Sequence, residues 1–339
     1  MKHPVYAAAC QVDLPNPKNR AEMQLNTDAM LQMMEHAVAG YSPFFDVRLV
    51  VFPEFAHAAP IYHTVEELLS HLAIPSDNEH VERIGAKARE LSCYVQTGSF
   101  LEVDARWPDR VFNTTLLVSP EGEVLSRYRK ANTWIPWEVH SSPHDIADYP
   151  DEVFPVVETD IGRIGVATCY DWLFPEVLRE MTLKGAEILI RISAYMDPWG
   201  ATSPMDWWTV INRARAIENV ALVVAANQGA TQGKYPPFSW PGGSMIVDGD
   251  GRILAEAPDG PGERIVVAPI DVGNLRRERS RRVGHMMPAH LRSSLYTAHQ
   301  ESGLAPDTNP NALNPDALQK RIQAAKKNWG IADMQGDGQ

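Results

Sequence analysis

Cys169 stands at the end of the run Arg163-Ile164-Gly165-Val166-Ala167-Thr168, and a helical pattern begins within a few residues of it. A thiol at such a strand-to-helix turn is in a nucleophile's position. The first N–H groups of a helix have no partner inside it and can face a developing oxyanion beside the sulfur. Residues 174–181 read as that helix, with Pro175 at its start, Glu176 in its first turn and Asp171 as a candidate N-cap. The plainer alternative is a small buried hydrophobe, the usual role of free cysteine, and the turn alone does not separate the two. Glu54 follows a second apolar run, Arg48-Leu49-Val50-Val51-Phe52, stopped by Pro53, and Lys130 closes a third at Tyr128-Arg129. Singly these are a turn carboxylate and a solvated lysine. Brought to one sheet edge, the three have complementary jobs. The lysine favours the thiolate and faces an oxyanion, and the carboxylate takes and returns the proton. That set suits acyl transfer at a carbonyl or nitrile carbon.

The elements that must position them follow from periodicity. Apolar runs read as strands at 5–12, 48–52, 94–100, 111–119, 124–128, 187–193, 220–227, 245–248, 252–256 and 264–270. Apolar residues spaced three and four apart predict helices at 19–39, 66–72, 78–91 and 203–219. Pro120-Glu121-Gly122-Glu123 makes a hairpin turn, and residues 131–150, rich in Trp, Pro, His and Asp, make a long loop of the kind that carries function. Mixed strands and helices without a linker predict one layered α/β domain over residues 1–300. Residues 301–339 read as a C-terminal extension with a short helix at 319–328, reaching a neighbouring subunit or mobile.

A chain of 339 residues with 44% hydrophobic content buries a large core, and its net charge of -12 disfavours nucleic acid and anionic membrane as partners. The basic cluster from Arg276 to Arg282 reads as a solvated helix face or subunit contact. The three cysteines, Cys10, Cys93 and Cys169, cannot all pair, and none sits in zinc-ligand spacing, which fits a reducing, cytoplasmic setting. Nor do His57, His63, His140 and His144 show metal-helix spacing, so the reading calls for no metal and no cofactor. No run of about eighteen apolar residues suggests a membrane span. Trp207-Trp208 reads as packing or a subunit contact.

With these residues in hand the chain resembles the nitrilase superfamily of carbon–nitrogen hydrolases over roughly residues 5–300. Val51-Phe52-Pro53-Glu54-Phe55, Tyr128-Arg129-Lys130, and Cys169-Tyr170-Asp171 followed by Phe174-Pro175-Glu176 carry the resemblance jointly. It implies a four-layer α-β-β-α sandwich, a Glu54–Lys130–Cys169 triad and association into dimers or multiples of them. Within the superfamily the chain is most similar to the aliphatic amidase and formamidase branch, through Trp134, Pro136 and Glu138 after the lysine and through Lys184-Gly185-Ala186-Glu187, Ile190-Arg191 and Tyr195-Met196 after the cysteine. That similarity implies Trp134 and Tyr195 in the pocket and Glu138 as a second glutamate that aligns the amide. The backbone N–H of Tyr170 would then join Lys130 at the oxyanion. Phe55 stands where those amidases tend to have tyrosine, which removes a hydroxyl from the pocket region, and residues 139–149 and 276–296 depart from the branch. The expected activity is hydrolysis of a small carboxamide to acid and ammonia through a thioester. N-carbamoyl amine hydrolysis, nitrile hydrolysis and an inactive binding protein of the same fold stay open as alternatives.

Overall fold

The computed structural model describes residues 4–134, 138–196, 206–231 and 240–296. Pro136, the start of the helix expected at 203–219 and the extension from 301 onward lie outside these residues.

Twelve strands form two six-stranded sheets. The first contains β1 (Val5–Gln11), β2 (Val47–Val51), β3 (Tyr94–Asp104), β4 (Trp107–Val118), β5 (Val124–Arg129) and β12 (Arg264–Ile270), in the order β12-β1-β2-β3-β4-β5. The second contains β6 (Val156–Thr159), β7 (Gly162–Thr168), β8 (Ile188–Ser193), β9 (Leu222–Asn227), β10 (Met245–Val247) and β11 (Ile253–Glu256), in the order β11-β10-β9-β8-β7-β6. In each sheet the three central strands β1-β2-β3 or β7-β8-β9 run parallel and the flanking pairs run antiparallel. The short strand β6 was not anticipated; half-exposed and only four residues long, it carries little apolar signal.

Strand alternation sorts side chains into layers. Ala7, Ala9, Leu49 and Val51 share an apolar cluster with Ile164, Val166 and Ile190 of the other sheet, whereas Ala8, Cys10 and Val50 pack with Met30, Met33, Ile84 and Ala88. Those last four lie on α1 (Met23–Val38) and α3 (Glu79–Leu91), which cover the outer face of the first sheet. Across the second sheet, α4 (Pro175–Leu183) and α5 (Trp207–Asn219) play the same part, with Met181 meeting Gly165 of β7. The result is the expected four-layer α-β-β-α sandwich.

Local chemistry sets the ends. Asn78 caps α3 by accepting from the N–H groups of His80 and Val81, and Thr64 caps α2 (Val65–His71) through Glu67 N–H. Gly85 of α3 and Gly122 of the β4–β5 turn approach so closely that a Cβ on either would meet the other's carbonyl oxygen, at 2.8 and 2.7 Å. Only a pair without side chains lets that helix lie on that hairpin.

Two sequence expectations change here. The arginine cluster does not simply face solvent, because α6 (Val272–Arg281) is latched to the second sheet. Arg276 donates to both Glu187 oxygens at 2.6 and 2.8 Å, and Arg279 donates to the carbonyls of Val220 and Ala186, each at 2.9 Å. Asp171 is not the cap of α4, whose N-cap is Phe174. A 3₁₀ turn, Cys169–Leu173, intervenes and carries Asp171 inward.

Candidate active site

Glu54 follows β2 by three residues and is 1% exposed. The chain turns sharply after it, with Phe55 in the left-handed region (φ 59) and its N–H donating to Ser99 Oγ at 2.9 Å. The carboxylate is held at both ends: Oε1 accepts from Lys130 Nζ at 2.9 Å and from Asn113 Nδ2 at 2.8 Å, and Oε2 accepts from Ala194 N–H at 2.9 Å. Ala194 directly follows β8, so the second sheet itself aims the acid of the first.

Lys130 directly follows β5 and is fully buried. Its ammonium bridges two carboxylates, donating to Glu54 Oε1 and, at 2.7 Å, to Glu138 Oε1. Burial alone would lower its pKa, but the charges of Glu138 and Glu54 hold it well above the usual lysine range. Glu138, 6% exposed, also accepts from Trp134 N–H at 2.5 Å, and His140 Nε2 lies 3.4 Å from its Oε2. Burial would raise the Glu138 carboxyl, yet the Lys130 charge and the neighbouring His140 imidazole hold it well below the ordinary carboxylate range.

Cys169 opens the 3₁₀ turn after β7, half-buried and in the left-handed region at φ 47. A non-glycine residue is rarely found there, and a nucleophile at a tight turn is one setting in which the strain persists. Asp171 staples the turn. Its oxygens accept from Thr168 N–H at 3.0 Å, from Asn132 N–H at 2.7 Å and from the Tyr128 hydroxyl at 2.7 Å. Tyr128 and Asn132 flank Lys130, so one carboxylate ties the thiol's turn to the ammonium's strand end. Burial pushes the Asp171 carboxyl up despite those donors.

Burial and the Glu54 charge push the Cys169 thiol up to about 12, against the pull of Lys130 and Arg191. Lys130 thus pulls toward the thiolate as expected, but burial and the Glu54 charge outweigh that pull. Cys10 and Cys93 are the core fillers, buried against α1 and α3, their thiols raised chiefly by burial.

The residues expected in the pocket make the following contacts. The Tyr170 ring is half-buried and meets Phe174 edge to face, with centroids 5.2 Å apart. Tyr195, 8% exposed, has its ring centroid 5.1 Å from the Arg191 guanidinium, while its N–H donates to Asn227 Oδ1 at 2.8 Å. Phe55 packs in an apolar cluster with Phe100, Ala194 and Trp240. Trp134 is half-buried, and its backbone, more than its ring, is what the geometry ties to Glu138. Trp208 is buried packing as expected, donating from Nε1 to Gly243 O at 2.7 Å, whereas Trp207 is exposed.

Sequence reasoning gave no role at this centre to three residues. Asn113 is one polar residue in a long strand and carries no signal. Arg191 carries one, a lone cation inside Ile188-Leu189-Ile190-Arg191-Ile192; it is fully buried and lies over the faces of Trp208 (4.3 Å), Tyr195 and Trp172, without a carboxylate partner among the described residues. His140, two residues beyond Glu138, was weighed only as a metal ligand. No group of three His, Cys, Asp or Glu side chains among the described residues is placed to hold a metal.

An acid, an ammonium and a thiol gathered where the strands of two stacked sheets end define the class: an α-β-β-α hydrolase sandwich arranged around a cysteine. The chain belongs to the carbon–nitrogen hydrolase family, whose model matches residues 6–279, and the nitrilase-superfamily resemblance is thereby borne out. It is 31% identical to a formamidase of Bradyrhizobium diazoefficiens over 79% of this chain and 73% of that one. A Bacillus cereus formamidase is 30% identical over 78% and 73% of the two chains. Among solved structures, a mutant of the Nesterenkonia AN1 amidase from the nitrilase superfamily superposes with a TM-score of 0.66 at 19% identity, over 87% of this chain and 96% of that one, a likeness of fold.

Proposed function

We propose that the protein hydrolyses a small linear carboxamide to its carboxylic acid and ammonia, with Glu54, Lys130 and Cys169 as the catalytic triad. The observation that carries this is the buried ammonium of Lys130 bonded to Glu54 and Glu138 beside a cysteine at a strained strand end. Formamidases among the relatives support an amide as substrate.

Glu54 takes the thiol proton as the sulfur of Cys169 attacks the carbonyl carbon, and the electron pair of the C=O bond moves to oxygen. Lys130 and the Tyr170 N–H, in the first turn after the cysteine, hold that oxyanion. The intermediate collapses as protonated Glu54 gives its proton to the departing nitrogen, releasing ammonia and leaving a thioester. Glu54 then deprotonates a water that attacks the thioester, and the sulfur leaves to recover its proton. Glu138 accepts a hydrogen bond from the substrate nitrogen and keeps the amide in line. Trp134, Tyr170, Tyr195 and Phe55 form the walls that set the acyl group's size. No cofactor enters these steps.

The exposed apolar residues Trp207, Val210 and Ile217 recur along one side of α5, with Leu183 at the end of the adjacent α4, and support a homo-oligomer. No helix among the described residues is long and apolar enough to cross a membrane. The net charge of -12 disfavours nucleic acid and anionic membrane as partners.

Ammonia release across a panel from formamide to branched and aromatic amides, with N-carbamoyl amino acids and nitriles alongside, tests the reading. Turnover of at least one amide, abolished in Cys169→Ala, is expected. A panel with no ammonia release, or parental rates in Cys169→Ala, overturns it.

A further inference from the structure

The site holds two buried carboxylates for one ammonium. Glu54 and Glu138 both lean on Lys130 Nζ, at 2.9 and 2.7 Å, and each is almost fully shielded from water. A negative charge in so little solvent calls for a further positive partner. The group at the far end of Glu138 is His140: fully buried, with Nε2 3.4 Å from Glu138 Oε2 and neither ring nitrogen hydrogen-bonded to any described residue. A buried imidazole with no other partner among the described residues, facing a carboxylate that grips the reaction's lysine, is poorly explained as packing. Two charged groups on neighbouring stretches have partners of their own. Arg110 of β4 donates to Ser141 Oγ at 3.3 Å, and Asp145 accepts from Ser142 N–H at 2.8 Å.

We propose that His140 is a positioning residue of the reaction, setting through Glu138 how much of the Lys130 charge is left for Glu54 and the substrate oxyanion. The chain of contacts is Glu54–Lys130–Glu138–His140. With His140 neutral, Glu138 has Lys130 as its sole cationic partner among the described residues and draws the ammonium away from the reacting carbon. Once His140 gains a proton, Glu138 divides its charge between two cations and the group of four becomes electrically balanced. Lys130 is then freer to follow negative charge as it moves from Glu54 to sulfur and on to the oxyanion. Imidazole is the side chain able to make that change in the working pH range of most enzymes. The inference rests on the amidase reading and adds a residue to it.

His140→Gln keeps an N–H within reach of Glu138 but never carries charge. The ratio of kcat at pH 6 to kcat at pH 8, read by ammonia release, is expected to fall at least threefold relative to the parent, with a smaller change in KM. A role in packing alone would lower kcat equally at both pH values, and an unchanged ratio overturns the proposal. Should His140→Gln fail to fold, the imidazole of His140 is followed by NMR in the parent and in Glu138→Gln. Its protonation midpoint is expected to drop by at least half a pH unit when the carboxylate is removed; an unmoved midpoint overturns the proposal equally. Ammonia release surviving in Cys169→Ala would instead sink the amidase reading, so the two failures are told apart.

Discussion

Glu54→Gln tests the proposed base. The substitution keeps the shape and the contacts from Asn113 and Ala194 within reach but leaves nothing to take the thiol proton. A thiol pushed up to about 12 is only about one part in 10⁵ thiolate at pH 7. Removing the Glu54 charge relieves part of that elevation, because Glu54 is the second cause of it after burial. The loss of turnover is therefore placed at about 10²- to 10⁴-fold, the range of general-base catalysis, rather than the full five decades. What remains must depend on thiolate formed beforehand. Initial rates of ammonia release from the best amide of the panel, taken from pH 7 to 9 at saturating substrate, should rise about tenfold per pH unit in Glu54→Gln and less steeply in the parent. A residual rate above a tenth of the parent's, or one flat with pH, would refute the assignment of Glu54 as base to a resting thiol.

Lys130→Met strands two carboxylates in the interior, so a fall of about 3–5 kcal/mol in stability by denaturant midpoint should accompany the loss of turnover; a variant as stable as the parent contradicts the buried ion pairs. Arg191→Met removes a cation that pulls the Cys169 thiol down, so the pH midpoint for alkylation of that sulfur should move upward, and an unchanged or lower midpoint counts against it. Burial, with help from His80, lowers the His57 pKa to about 3, well under its unfolded value. The folded state thus binds fewer protons than the unfolded one. The stability this residue confers is complete above about pH 6.5 and drains as pH falls toward 3, by about 1.4 kcal/mol per unit. Between pH 7 and pH 5 the parent should lose about 2 kcal/mol more than His57→Asn; equal losses would show that His57 is not buried neutral.

Sequence alone determined the order and kind of most elements here, because alternation in strands and three-four spacing in helices are written in neighbouring residues. It also named Glu54, Lys130 and Cys169, each marked by its place just after an apolar run. Contacts made across the sandwich had no such mark. Asn113 and Arg191 acquire their places from partners 59 and 21 residues away and from aromatic faces on other elements, which only packing brings together, whereas His140 lies two residues from Glu138 and is set apart only by the burial of both. The same holds for Asp171, whose type and position suggested a helix cap until the 3₁₀ turn swung it toward Tyr128 and Asn132. Charge state is the furthest from sequence of all. The pull on the sulfur's proton depends first on burial and then on the charges of Glu54 and Lys130 around it, and the meeting of two sheets fixes all three.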